Sequence, residues 1–449
     1  MIDLTSAIFV LDAIFDRNQS LKNALDRAYD RYNLTTHDRA ALKAMITSEL
    51  KHHLILDIQV RDRFPAIVSS DQLVRLFCLG LDLLRNADGN EDRIKERTGL
   101  IVNTAKALMI ECDQKDIDRL VELAEKPAEL PAAVAKDPLA NNAAVFNCPQ
   151  WLLQNYIADF GPEKTIDLLK AQTREPELFL ALNTSTAARA DFASDERFQV
   201  TASTNPAYPT GALLRSLKTK RASTLTEVLK GQLFPQDLSW FSFLDTLPFP
   251  QYGKTLLVEA SSFALPASLA LRSLAARGQF TASFDRSEDL TSFEARMGRL
   301  SISETSAETG TDDPAAATGP TVETVASSAT LLKTYLPFNA FDLVISTPAS
   351  SRTGEISHHP EIAATFDPDQ LFATIEKEES GILESSFFVA AGGYLAYAVT
   401  SLIKDEGERV VSWLVSKRPE FKLISQRYLV PATDYAGIGM YFAILRRVR

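Results

Sequence analysis

Thr255-Leu256-Leu257-Val258-Glu259-Ala260-Ser261-Ser262-Phe263-Ala264-Leu265-Pro266-Ala267-Ser268 opens the second half of the chain. Its first five residues form a short apolar run ending on an acid, the pattern of a strand buried on both faces. Ala267 to Leu274 then has the spacing of a helix, and Phe280 to Phe284 is a second apolar run, ending at Asp285. Phe341-Asp342-Leu343-Val344-Ile345-Ser346 and Gly392 to Val399 read as further strands, with helices at Asp367 to Glu376 and Glu406 to Val415. Strands alternating with helices predict a doubly wound α/β sheet. The apolar stretch Phe387 to Ile403, broken by Gly392-Gly393 and Thr400-Ser401, reads as buried strand and turn rather than a membrane span.

The first 125 residues carry a different period. Leu4, Ala7, Ile8, Leu11, Ile14 and Phe15 share one helical face, as do Leu21, Ala24, Leu25, Ala28, Tyr29 and Tyr32. Thr35 or Thr36 is placed to cap a third helix running from Asp38 to Leu56. Helices through Leu73–Leu84, Gly99–Leu108 and Ile117–Ala124 complete an all-α bundle over residues 1–125, and the Pro- and Ala-rich stretch 126–146 reads as a linker.

The 449 residues carry 47 Lys and Arg against 58 Asp and Glu, a net charge of −11. This excludes a protein that coats nucleic acid by bulk charge, but not one with a local basic groove. Arg215, Lys218, Lys220, Arg221 and Lys230 are the clearest such run. Three cysteines, Cys78, Cys112 and Cys148, make no disulfide framework; with no basic leader at Met1-Ile2-Asp3-Leu4, they predict a cytoplasmic, reducing location. The adjacent pairs His52-His53 and His358-His359 have no metal-ligand spacing, so no metal is expected.

Several motifs together resemble the Sun/Fmu-type ribosomal RNA cytosine-5 methyltransferase family. Asp38-Arg39-Ala40-Ala41-Leu42, Leu73-Val74-Arg75-Leu76 and Gly99-Leu100-Ile101-Val102-Asn103 look like helices of its NusB-like domain. Cys148-Pro149-Gln150-Trp151-Leu152 and the strand ending at Asn183 are similar to its small RNA-binding lobe, with Cys148 and Ala181 where the family has His and Arg; the Trp151 ring reads as core packing. Gly231-Gln232-Leu233-Phe234-Pro235-Gln236-Asp237-Leu238-Ser239 fits the family's Gly-x-Phe-x-x-Gln-Asp-x-Ser-Ser. The resemblance implies an all-α NusB-like bundle (1–125), a linker (126–146), a small α+β RNA-binding lobe (147–235) and a Rossmann-like methyltransferase-type domain (236–449). A Ser-, Thr- and acid-rich insertion at 302–330 is expected to be disordered. It further implies RNA contact by Arg215, Lys218, Lys220, Arg221, Lys230 and Gln236, and an S-adenosylmethionine (SAM) site at Glu259 and Asp285.

The chemistry the resemblance implies is absent from the residues. Family members add one cysteine thiolate to cytosine C6, methylate C5, and release the product with help from a second cysteine, because a thiolate is accessible near neutral pH and a hydroxyl is not. Their Asp-Ala-Pro-Cys-Ser-x-x-Gly corresponds, with one extra residue, to Ser346-Thr347-Pro348-Ala349-Ser350-Ser351-Arg352-Thr353-Gly354, and their Tyr-x-Thr-Cys-Ser to Tyr397-Ala398-Val399-Thr400-Ser401. Ala349 and Thr400 stand at the cysteine positions and Ser346 at that of the aspartate. The glycines that let backbone approach SAM are replaced by Leu265 and Pro266. The sequence therefore predicts a non-catalytic member: a scaffold for ribosomal RNA or for a ribosome-assembly or transcription protein, without membrane, metal or cofactor. The alternatives are an active SAM-dependent RNA methyltransferase with a rearranged site, and a protein-interaction module that binds no RNA.

Overall fold

The computed structural model describes residues 4–126, 128–260, 264–300 and 321–448. They form two compact units, one of residues 1–174 with 355–368 and one of 175–354 with 369–449.

The first unit is helical: α1 (Leu4–Phe15), α2 (Leu21–Arg31), α3 (Thr36–Arg63), α4 (Asp71–Arg85), α5 (Glu91–Ala107), α6 (Gln114–Glu125), α7 (Ala132–Lys136), α8 (Pro138–Val145), α9 (Gln150–Phe160) and α10 (Pro162–Thr173). α1 is apolar on almost every side, and α2, α3, α4 and α5 all pack on it. Side chains of Ser20, Thr35, Ser70 and Asn90 accept backbone N–H groups at the starts of α2 to α5. Asn147 reaches into the ladder of α3: its Nδ2 donates to the Leu50 carbonyl (2.8 Å) and its Oδ1 accepts the Leu54 N–H (2.9 Å). These are the groups an unbroken helix would pair with each other.

Two expected boundaries are corrected. The stretch read as a linker folds as α7 and α8, because Pro138 suits the first helical position, Asp137 caps it through the Leu139 and Ala140 N–H groups, and Ala140, Ala143 and Ala144 bury a small-residue face. α8 packs against both α3 and α9. Accordingly α9 and α10, assigned to the small lobe, belong to the helical unit, whose boundary falls at Arg174.

The chain returns to this unit at 355–368, forming the short helix α15 in chain order (Glu361–Thr365). Glu361 Oε1 accepts the Leu21 N–H at the start of α2 (3.1 Å) and lies 3.3 Å from His359 Nδ1. Burial opposes its ionisation, yet the His359 bond and the backbone N–H groups hold its carboxyl below the ordinary glutamate range. The Trp151 ring lies 5.6 Å from Phe366, within the packing of this unit.

The second unit begins with a four-stranded antiparallel sheet of β1 (Phe179–Leu182), β2 (Phe198–Ala202), β3 (Ala212–Ser216) and β4 (Leu233–Pro235), in the order β2-β3-β1-β4. α11 (Thr226–Leu229) precedes β4 and α12 (Leu238–Thr246) follows it. Then come β5 (Lys254–Val258), α13 (Ala264–Ala275), β6 (Gln279–Phe284), α14 (Ser287–Arg299), β7 (Thr321–Ala326), β8 (Phe341–Ser346), α16 (Leu371–Ser386), β9 (Val389–Val399), α17 (Val410–Lys417), β10 (Phe421–Leu429) and β11 (Met440–Arg447). The seven-stranded sheet has the order β10-β11-β9-β8-β5-β6-β7. β11 runs antiparallel to both neighbours, while the β8, β9, β5, β6 and β7 pairings are parallel. The direction of winding reverses between β5 and β8, which puts the crevice of this fold beyond their carboxyl ends.

The expected disorder of 302–330 is corrected for its second part. Residues 321–326 are β7, paired in register with β6 from Gln279↔Thr321 to Phe284↔Ala326. Val322 and Val325, on opposite faces of the strand, supply the apolar contacts that a composition dominated by Ser and Thr concealed. Residues 302–320 lie outside the described residues.

Arg272 of α13 is the largest fully buried side chain of the unit, 1% exposed. It donates to Asp245 (2.8 Å) and lies over the rings of Tyr208 (4.6 Å) and Phe241 (5.3 Å). Removing one partner of a buried ion pair strands the other charge, at a cost of about 3–5 kcal/mol. Asp245→Ala should therefore lower the urea midpoint of this unit by far more than an exposed Asp→Ala such as Asp369→Ala, read by Trp240 fluorescence.

Candidate functional site

The loops leaving β8 and β9 carry the residues that correspond to the family's nucleophile motifs, and the structure brings them together. Ser346 ends β8, is 1% exposed, and pairs in register with Val258 of β5 and Tyr397 of β9. Gly354 N–H donates to the Thr400 carbonyl (3.0 Å), and Gly439 N–H donates to the Gly354 carbonyl (2.8 Å). A Cβ on Gly354 would collide with the Gly439 backbone, so this approach requires glycine. Ala349 is exposed, and Thr400 is buried.

Four polar side chains hold the loops to each other. Ser351 Oγ lies 3.2 Å from Ser401 Oγ, and Thr353 Oγ1 lies 3.2 Å from the same atom. Beneath them is Glu406, wholly buried. It accepts the Ser351 N–H (2.6 Å), the Ser351 hydroxyl (2.5 Å) and the Ser401 hydroxyl. Tyr397 Oη donates to the Glu406 carbonyl at 2.7 Å. Glu406 sits in a one-turn π-helix, Asp405–Arg409, leading into α17. Sequence reasoning noted the segment around Glu406 but not its role. Glu378 of α16 was missed altogether, although its spacing from Ile375 and Ile382 places it on the buried face of the helix. Both Glu378 oxygens are buried without a hydrogen-bond partner.

The cofactor-side residues are placed as follows. Glu259 follows β5 at a positive φ of 56°. Its N–H donates to Ser283 Oγ (3.0 Å) and its carboxylate accepts the Ala329 N–H (2.9 Å), so its charge serves an internal backbone donor. Asp285 is exposed at the end of β6. Leu265 and Pro266 form the first turn of α13, where both are buried and Leu265 joins the core. No glycine occurs from 259 to 268, and Pro266 offers no N–H; these residues do not fit the close backbone approach that SAM requires. Ser261 to Phe263 lie outside the described residues.

Among the RNA candidates, Lys218, Lys220, Arg221 and Lys230 are exposed. Arg215 is partly used within the fold, paired with Glu177 and 3.4 Å from Gln199. Gln236 is 2% exposed; its Oε1 accepts the Ser268 hydroxyl (2.7 Å) and its Nε2 is buried without a hydrogen-bond partner. Among the described residues no group of three His, Cys, Asp or Glu side chains could hold a metal ion, and no helix is long and apolar enough to cross a membrane.

The buried acids generate a pH prediction. Burial, then repulsion from Glu406, pushes the Glu378 carboxyl up to about 11. A folded-state pKa above the unfolded one means that the folded protein binds the extra proton. Stability from this group is thus complete below the ordinary glutamate range and declines as pH rises toward 11. Glu378→Gln, which cannot ionise, should match the wild type near pH 4 and exceed it progressively from pH 6 to 9 in urea midpoint. A variant that loses stability equally at all pH values would contradict the protonated reading.

Neither a family model nor a curated protein matches the sequence. Solved structures do. The crystal structure of PH0851 aligns over 99% of this chain and 99% of its own, with a TM-score of 0.73 and 16% identity. A methyltransferase homologue protein from Pyrococcus horikoshii aligns over 69% of this chain and 99% of its own (TM-score 0.55, 16% identity). NSun6 from Pyrococcus horikoshii, solved with SFG, aligns over 67% and 98% (TM-score 0.54, 16% identity). At this identity the likeness is one of fold: a helical region followed by a Rossmann-like, methyltransferase-type sheet.

Proposed function

We propose that this chain is a Sun/Fmu-type RNA methyltransferase homologue that has lost methyl transfer and acts as an RNA-binding scaffold. One observation carries the reading. The two loops that would present cysteines are joined as the chemistry would need, yet they hold Ala349 and Thr400, and the hydroxyls beside them are committed to Glu406. An alanine methyl cannot add to a pyrimidine, and a threonine hydroxyl without an adjacent base is not ionised near neutral pH.

The chain's own thiols do not substitute. All three belong to the helical unit, which we read as NusB-like. Burial pushes Cys148 up to about 12 and Cys112 up to about 11, and Cys78 well above the ordinary thiol range. Thiols so protonated are poor nucleophiles, and free ones suit the reducing cytoplasm. The cofactor side supports the same conclusion, since Glu259 is engaged by Ala329 and the first turn of α13 is closed by Leu265 and Pro266. RNA binding is supported by the exposed cations Lys218, Lys220, Arg221 and Lys230 on an otherwise acidic chain.

A ligand at 100 times its dissociation constant stabilises a fold by about 2.7 kcal/mol. Thermal melting with millimolar SAM should leave the midpoint of this protein unmoved, and incubation with ribosomal RNA and methyl-labelled SAM should transfer no label. A clear upward shift or label in the RNA refutes the loss of function. RNA binding should appear at low salt and weaken steeply as salt is raised.

A further inference from the structure

Asn183, directly after β1, is wholly buried. Its Nδ2 donates at 2.8 Å to each of two carbonyls from distant parts of the chain. One is Gly231, in the excursion between β3 and β4, and the other is Leu300, just past α14. Gly231, at a φ of 71°, lies so close to the Arg299 carbonyl that a Cβ would collide with it. Lys230 and Arg299 are thus carried by backbones locked against each other, not merely by long side chains that happen to approach.

Each side of this junction is basic. On the excursion, Lys218, Lys220, Arg221 and Lys230 are exposed, and the one acid, Glu227, is taken by Arg197 (2.7 Å). Its turns are fixed by Ser216 Oγ donating to the Thr219 carbonyl (2.8 Å) and Thr224 Oγ1 donating to the Arg221 carbonyl (2.7 Å). On α14, Glu288 and Asp289 lie in the first turn with Arg286, whereas Arg296 and Arg299 are exposed together in the last turn. Cations are favoured at any helix C-terminus, but that preference does not set the Arg299 backbone against the segment that follows Lys230; the Asn183 clasp does.

The geometry points to one continuous phosphate-binding surface on the α/β unit, in which Arg296 and Arg299 of α14 extend the cations of the β3–β4 excursion along an RNA backbone. This inference rests on the RNA-binding reading above. It assigns two residues of the methyltransferase-type domain to RNA contact independently of any cofactor or nucleophile. Rigidly mounted cations lose little freedom on binding, and each phosphate neutralised releases counterions.

The test is the salt dependence of binding to a stem-loop ribosomal RNA fragment, between about 50 and 200 mM salt. Each phosphate contact on single-stranded RNA contributes about 0.7 to the slope of log affinity against log salt. Arg296→Ala with Arg299→Ala should flatten the slope by about 1.4. Arg296→Lys with Arg299→Lys should restore the slope, and Lys422→Ala, on the exposed face of β10, should leave it unchanged. If the wild type does not bind at low salt, the RNA reading falls and this surface with it. If the wild type binds but the double alanine variant keeps its slope, or Lys422→Ala flattens it equally, the surface alone is overturned.

Discussion

A carboxylate taken out of water costs several kcal/mol unless hydrogen bonds replace its hydration. Glu406 meets that condition with donors from two loops that are otherwise independent in sequence: the Ser351 N–H and hydroxyl from beyond β8, and the Ser401 hydroxyl from beyond β9. Because its carboxylate cannot be satisfied from one loop alone, its burial dictates that the loops meet. Tyr397 fixes the turn carrying Glu406 by donating to its carbonyl. Gly407, next in the chain, has no Cβ to strike the Tyr441 ring of β11. The centre of the sheet and the crevice side of the unit therefore share one polar anchor, and Glu378 lies near it as a neutral acid, first because burial opposes its ionisation and then because Glu406 is close; burial raises the Glu406 carboxyl too.

The elements that were legible in the sequence are those whose pattern is local. Strand β5, the β8 run Phe341–Ser346, and the helices from α1 to α6 announce themselves by apolar runs or by 3.6 spacing. Strand β7 did not, because its apolar content is two valines among Thr, Glu and Ala, and its stability comes from lying in register beside β6. The stretch 126–146 was misread for the opposite reason: proline and alanine resemble a linker, yet Pro138 and the Asp137 cap are helix-start signals once α3 offers a face to pack on. Composition describes a segment in isolation, and both errors occurred where a neighbour decides the outcome.

The site divides along the same line. The segment Ser346 to Gly354 was recognisable by Pro348 and Gly354, although it is one residue longer than the motif it resembles. Nothing in the sequence around Gln236 reveals that Ser268 of α13 donates to it. Arg299 lies more than sixty positions from Lys230, and the two bonds of Asn183 join the backbones that carry them.

Joining the two loops and leaving room for a ligand after β5 make separate demands on the chain. Joining the loops needs hydroxyls, a glycine and a carboxylate: Ser351, Thr353, Ser401, Gly354 and Glu406 supply them, and none has to be a nucleophile. Admitting a cofactor after β5 needs the reverse, backbone left uncovered by side chains. Leu265 instead buries itself in the core shared with Phe280 and Phe284. Each square ångström of apolar surface so removed from water favours the closed arrangement by about 25 cal/mol. A first turn packed in this way stabilises the sheet whether or not a ligand is present. Leu265 thus contributes to the packing of the fold. A methyltransferase-type sheet is therefore held together here by its own packing.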